Sequence, residues 1–158
     1  MVRVLFDTAV VVAGARPRRD PTRIRYSADL LTRWEAGRLR GIVSDPLLEE
    51  YRDVLARDKS GVAEDQQRRV LKIARDRTVT EAHLLPAPPY PRITKDPDDD
   101  HLIALVTVSD PNYLCTKDVG VLDLHLHRDT VVVAPGVLHG VLAHDDLVEG
   151  AVALSSRP

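Results

Sequence analysis

Aromatic side chains are scarce in this chain. Phe, Trp and Tyr make up 4% of its 158 residues, with a single Trp and a single Phe. The core must therefore be built from Val, Leu, Ile and Ala, and a base-stacking binder of single strands, which needs aromatic platforms, is disfavoured. Cysteine is almost absent. Cys115 alone cannot form an internal disulfide, which fits a reducing, cytoplasmic setting. No apolar run approaches the length of a membrane span. Met1 leads straight into a strand-like stretch, with no basic segment and no small-residue cleavage pattern, so no secretory leader is expected. An excess of charge is also lacking. The formal net charge of -2 gives no global attraction to nucleic acid, though local patches remain possible.

What is present is ordinary for a globular protein: 44% hydrophobic and 29% charged residues in a length that suits one domain. Val2–Phe6 reads as a buried strand ending at Asp7-Thr8-Ala9. Thr22–Glu35 has helical periodicity with Gly37 as its stop, and Leu39–Val43 is a second short strand. Ser44 or Asp45 caps a helix that starts at Pro46 and runs to about Arg57, and Val62–Arg75 is a further helix. Thr78–Leu85 reads as another helix or an irregular return. A proline-rich connector follows at Pro86, Pro88, Pro89 and Pro91. Beyond it come an acidic helix from Asp96, a strand at Tyr113–Cys115, a short helix over Val119–Leu126, a strand at Thr130–Val133 and a short helix near Val137–Ala143. The expected division is a domain over 1–142 and a C-terminal tail over 143–158. Strands alternating with helices predict a parallel sheet with helices on both faces, whose functional site lies beyond the carboxyl ends of the strands.

The stretch Asp96-Pro97-Asp98-Asp99-Asp100 crowds four carboxylates into five residues. Capping and the helix dipole account for Asp96, Pro97, Asp98 and Asp99 without any function. They leave Asp100, which shares a helical face with Ile103 and Ala104. A carboxylate on an apolar face needs a partner, and a cation is one. Three other acids stand in comparable places. Asp7 and Asp118 follow strands, and Glu50 lies on the apolar stripe of Leu47, Tyr51 and Val54 while its neighbour Glu49 faces outward. Like charges gathered in one pocket repel one another, and a hard divalent cation reverses that cost. One or two such ions can activate a water and clamp the oxygens of a phosphodiester.

These segments resemble a known family. Asp7-Thr8 after an apolar strand, Ser44-Asp45-Pro46-Leu47-Leu48-Glu49-Glu50-Tyr51, Asp96-Pro97-Asp98-Asp99-Asp100-His101-Leu102-Ile103-Ala104 and Leu114-Cys115-Thr116-Lys117-Asp118 look like the four signature segments of PIN-domain nucleases, in the right order. The toxin-like branch, similar to VapC toxins, is the nearest resemblance. It implies a three-layer α/β/α fold with a central, mostly parallel sheet of four or five strands. It further implies a Mg²⁺- or Mn²⁺-dependent endoribonuclease that cleaves single-stranded RNA. Carried over residue by residue, Asp7, Glu50, Asp100 and Asp118 match the family's catalytic, metal-holding acids, with Thr8 and Thr116 in support. A homodimer and an antitoxin protein that blocks the site are also implied. Two positions depart from the pattern. Ala9 stands where the family usually carries Asn, and Gly120 where many relatives carry another acid. These departures motivate a second reading, in which the fold serves as an RNA- or protein-binding module with weakened chemistry.

Two basic clusters could track a phosphate backbone. Arg16, Arg18 and Arg19 lie in the loop after the first strand, with Arg23 and Arg25 close behind, and Arg68, Arg69, Lys72 and Arg75 lie on a later helix. The first cluster is favoured because its loop is the nearest to Asp7. His125 and His127, with one cysteine and no matching pair, do not make a zinc pattern. A phosphatase using Asp7 as nucleophile would want a second Asp where Ala9 stands.

Overall fold

A computed structural model of the chain describes residues 1–80 and 84–156. Its sheet has six strands in the order β3-β2-β1-β4-β6-β5. They are β1 (Arg3–Phe6), β2 (Arg40–Val43), β3 (Thr78–Thr80), β4 (Tyr113–Cys115), β5 (Leu126–His127) and β6 (Thr130–Val133). Five of them run parallel, and only the two-residue β5 pairs antiparallel, with β6. The parallel strands read as short apolar runs because both of their faces are covered.

The helices are α1 (Thr8–Ala15), α2 (Tyr26–Glu35), α3 (Asp45–Leu55), α4 (Glu64–Asp76), α5 (Asp100–Ser109), α6 (Val119–Leu122) and α7 (Pro135–Ser155). From β1 the chain steps through β2 to β3, and right-handed crossovers place α1 to α4 on one face. It then doubles back to β4, which puts α5 on the other face. α7 returns to the first face and packs on α2. The result is the expected α/β/α arrangement around a mostly parallel sheet. The reversal between β1 and β4 is a topological switch point, where such sheets open a crevice.

The core is aliphatic, with one aromatic pair at its centre. Phe6 and Trp34 stack with ring centroids 5.3 Å apart, and the Trp34 indole N–H donates to the Arg77 carbonyl at 3.0 Å. Gly41 is required beneath that indole, because a Cβ there would lie 2.2 Å from Trp34 Cζ2. Gly14 lets α1 approach α2, since its Cβ would meet the Ser27 carbonyl at 2.7 Å.

Several elements differ from expectation, each for a local reason. Thr78–Thr80 is an edge strand parallel to β2 rather than a helix or irregular return. Three residues with β-branched side chains suit a pleated edge, and residues 81–83 of that segment lie outside the described residues. The Thr22–Glu35 helix begins only at Tyr26. The Asp20 carboxylate instead accepts the Thr22 N–H and hydroxyl at 2.9 and 2.6 Å, a local turn that competes with helix. The helix expected over Val119–Leu126 stops at Leu122, and Leu126–His127 joins the sheet. Asp96 caps a 3₁₀ turn over Pro97–Asp99, so α5 starts at Asp100. The apolar run Val10-Val11-Val12 is helix, within α1. The expected change from domain to tail at residue 143 falls inside α7, which continues to Ser155. Arg33 holds this extension at Asp146, 2.8 Å away. Among the described residues, no helix is long and apolar enough to cross a membrane.

Candidate active site

Strand register alone brings the first two acids together. Phe6 pairs with Cys115, so Asp7 and Thr116 emerge side by side at the carboxyl edge. The Asp7 N–H donates to the Cys115 carbonyl at 2.9 Å. Thr116, fully buried, donates its hydroxyl to Asp7 Oδ2 at 2.6 Å and accepts the Asp118 N–H at 3.0 Å. One threonine thus ties both acids to the switch point. Asp118 Oδ1 accepts the Val121 N–H at 3.1 Å, capping α6.

Glu50 arrives from the other neighbouring strand. Ser44 ends β2 and caps α3 by accepting the Leu47 N–H at 3.3 Å. One face of α3 buries Leu47, Tyr51 and Leu55. The buried Tyr51 hydroxyl donates to the Phe6 carbonyl, clamping α3 onto the end of β1. Glu50, one residue earlier, therefore lies over Thr8, whose hydroxyl donates to Glu50 Oε1 at 2.7 Å. Glu50 Oε2 lies 2.9 Å from His101 Nε2. Burial pushes the Glu50 carboxyl up, but the His101 and Thr8 hydrogen bonds outweigh it and hold it below the usual range. Glu49 is exposed.

The acidic turn before α5 places two adjacent carboxylates in different surroundings. Asp100 is 2% exposed, and its partner is the preceding loop. Its Oδ1 accepts the Thr94 N–H at 2.9 Å, the Thr94 hydroxyl at 2.7 Å and the Ile93 N–H at 3.2 Å. Arg92 Nε lies 3.5 Å from Oδ2. The Thr94 amide is the main cause of a lowered Asp100 pKa. Oδ1 is thus satisfied by the connector, which folds back over the start of α5, while the buried Oδ2 makes no hydrogen bond among the described residues.

Asp99, rather than Asp100, is coupled by charge to the acids at the ends of β1 and β4. Burial, and then the charges of Asp118, Asp7 and Asp96, push its carboxyl up to about 6. The Asp7 carboxyl is also raised, by burial opposed by the Thr116 hydrogen bond and reinforced by the Glu50 charge. Asp7, Asp99 and Asp118 are thus within electrostatic reach of one another, with Glu50 bordering Asp7. Beneath them the buried Cys115 thiol is pushed up to about 12, by burial and then by Asp7, and stays neutral. Helical spacing could have singled out Asp99 only if the start of α5 had been placed at Asp100. One residue of register decides which carboxylate is coupled to Asp7 and Asp118.

Both departures from the family pattern border this crevice. Ala9 is exposed beside Asp7. A Cβ on Gly120 would sit 3.1 Å from Asp118 Oδ1. Among the described residues, no group of three or more His, Cys, Asp or Glu side chains is arranged to enclose a metal ion. The donors that do converge are carboxylate oxygens, hard ligands whose mutual repulsion a divalent cation would relieve. Mg²⁺ commonly takes one or two carboxylates and completes its shell with water.

Arg16 and Arg18 are engaged with backbone, Arg16 at the Ser60 carbonyl and Arg18 at the Asp20 and Pro21 carbonyls. Arg19 is exposed. In the second basic cluster Arg68, Arg69 and Lys72 are paired with Glu64, Glu35 and Asp76.

A family model described as PIN domain matches residues 3–120, a span that holds Asp7, Glu50, Asp99, Asp100 and Asp118. No curated protein and no solved structure matches the chain.

Proposed function

Because the chain belongs to the PIN-domain family, a family of nuclease-type domains, we propose that it is a divalent-metal-dependent endoribonuclease acting on single-stranded RNA. The observation that carries this reading is the meeting of Asp7 and Asp118 on one Thr116 hydroxyl at the β1/β4 switch point, with Asp99 within electrostatic reach. Asp7, Asp99 and Asp118 would hold Mg²⁺ or Mn²⁺. Such an ion supplies an activated water and charge stabilisation for phosphodiester hydrolysis. The protein's own part is positional. Thr116 orients Asp7 and fixes the Asp118 backbone, and Thr8 and His101 hold both oxygens of Glu50 at the rim. Asp100 fastens the 92–94 loop beside the start of α5 through its Oδ1.

The resemblance to VapC toxins supports a biological setting of the same kind: the toxin of a toxin–antitoxin pair, a homodimer, silenced by a cognate antitoxin protein. A second reading, a PIN fold that binds RNA or protein with weakened chemistry, is favoured by Ala9, by Gly120 and by the absence of a three-ligand cage among the described residues.

The two readings separate in one assay. Mixed-sequence single-stranded RNA is incubated with the protein and Mg²⁺ or Mn²⁺, beside an EDTA control and Asp99→Asn. Cleavage lost in both controls supports the nuclease. Absence of cleavage by folded wild type, with no cation binding by calorimetry, overturns it in favour of the binding module.

A further inference from the structure

Two adjoining cavities lie on the first face, one of them reaching Lys117. The smaller, about 290 Å³, is lined by Lys117, Tyr26, Arg25, Ala13 and Gly136 among others. Lys117 directly precedes Asp118, so this cavity opens beside the candidate site. Tyr26 is 41% exposed. Its ring sits over Gly136 and against His139, centroids 5.3 Å apart. The larger cavity, about 540 Å³, shares Ala13 and Arg25 with the first. Its charged lining is Arg16, Arg19, Arg23, Arg25 and Lys59 against a single Asp20.

These cations do not have equal roles. Arg16 donates to the Ser60 carbonyl at 2.6 Å, and Arg25 to the Ala13 and Arg16 carbonyls at 2.9 and 2.7 Å. They build the wall. Arg19, Arg23 and Lys59 are exposed, and among the described residues their charged groups make no hydrogen bond or ion pair. The chain brings together a loop after α1 and the turn between α3 and α4, at a site where three unpaired cations share one concavity. α1 carries Thr8 at its start and lines the cavity with Ala13 near its end. Its eight residues span about 12 Å at the helical rise.

We propose that this cationic cavity is a phosphate-anchoring subsite. A single strand leaves the acid crevice past Lys117, stacks a base on Tyr26 and seats backbone phosphates against Arg19, Arg23 and Lys59. This rests on the single-strand nuclease reading and adds to it a path, a polarity of cation use and a minimum substrate length. One aromatic platform followed by a positively charged groove is a sufficient grip for a strand bound without sequence preference.

The test is a binding measurement on the full chain carrying Asp7→Asn, which stops turnover, with Mg²⁺ present. Fluorescence anisotropy is read with labelled mixed-sequence oligoribonucleotides of about 3 and about 12 nucleotides, lengths that bracket the smallest single-strand sites, over a salt series. Arg19→Ala, Arg23→Ala and Lys59→Ala should each weaken binding of the longer strand several-fold. Each should also flatten its log-affinity against log-salt slope by about 0.7. Tyr26→Ala should weaken it about five-fold or more. Arg18→Ala, whose guanidinium is already engaged, should leave it unchanged, and the short strand should ignore the three cation variants. Circular dichroism melts confirm that each variant is folded. Binding of the longer strand with affinity and slope unchanged in all three cation variants overturns the subsite and leaves the nuclease reading standing. No binding of either strand by the folded parent overturns both.

Discussion

Asp99 and Asp100 are adjacent carboxylates with opposite environments, and the difference makes them separable by experiment. Asp99 is raised from 3.8 to about 6 by burial and neighbouring charge. A carboxyl that holds its proton more tightly in the fold than in the open chain makes folding stability fall as pH rises from about 4 to about 6. Asp99→Asn should therefore stabilise the metal-free protein at neutral pH and remove that part of the pH dependence. The measurement is the difference between wild-type and variant melting temperatures across pH 4 to 8. The same variant should abolish cleavage. Asp100→Ala should do the reverse to stability: it strands the Ile93 and Thr94 N–H groups and should lower the denaturation midpoint at neutral pH. Asp100→Asn, which keeps an oxygen acceptor, should retain measurable cleavage. His101 is a positioning residue of the same kind. Its Nε2 lies 2.9 Å from Glu50 Oε2. His101→Leu should weaken Mn²⁺ binding measured by calorimetry, with partial rescue by His101→Gln.

At the scale of elements, the site depends on how α3 is clamped to β1. The Tyr51 hydroxyl satisfies the Phe6 carbonyl, one residue before Asp7. Tyr51→Phe leaves that buried carbonyl unpaired and should cost about 1–3 kcal/mol of stability by chemical denaturation. It should also reduce cleavage, because Glu50 is carried by the same turn of helix. The β2 contribution is steric. Gly41 lies under the Trp34 indole, and Gly41→Ala should cost about 1–3 kcal/mol by overpacking. The loss should appear in thermal melts, with cation binding by the surviving folded fraction unchanged.

For the whole molecule, the acids sit where the strand order reverses, and Arg19, Arg23 and Lys59 line a cavity that α1 borders with Ala13, toward the end of the helix that Thr8 begins. This separates a region that repels phosphate from one that attracts it. A divalent cation binding the native crevice alone should stabilise the fold by about 2.7 kcal/mol at 100 times its dissociation constant. Because protons compete for the same carboxylates, the rise in melting temperature with Mn²⁺ should be larger at pH 7.5 than at pH 5, and chelation should reverse it. An unchanged melting temperature at every pH would remove the cation from the crevice.

The alternation of apolar strands with periodic helices was legible without coordinates, because burying both faces of a parallel sheet imposes runs of Val, Leu and Ile. The neighbourhood of Asp7 and Asp118 was legible for the same reason, since acids that end such strands meet at one edge. Glu50 could be told from Glu49 by helical phase alone. Three things were decided only by tertiary structure. Asp99 rather than Asp100 feels the charges of Asp7 and Asp118, because a 3₁₀ turn delays the start of α5 and the 92–94 loop supplies amides to Asp100. Among the described residues the Arg19 guanidinium has no partner, unlike those of Arg16 and Arg18, which carbonyls from distant or looping backbone engage. Thr78–Thr80 is a strand because β2 offers an unpaired edge beside it. In each case local pattern sets what a residue is able to do, and the partner that selects among those options comes from a segment folded against it, whose approach no local pattern encodes.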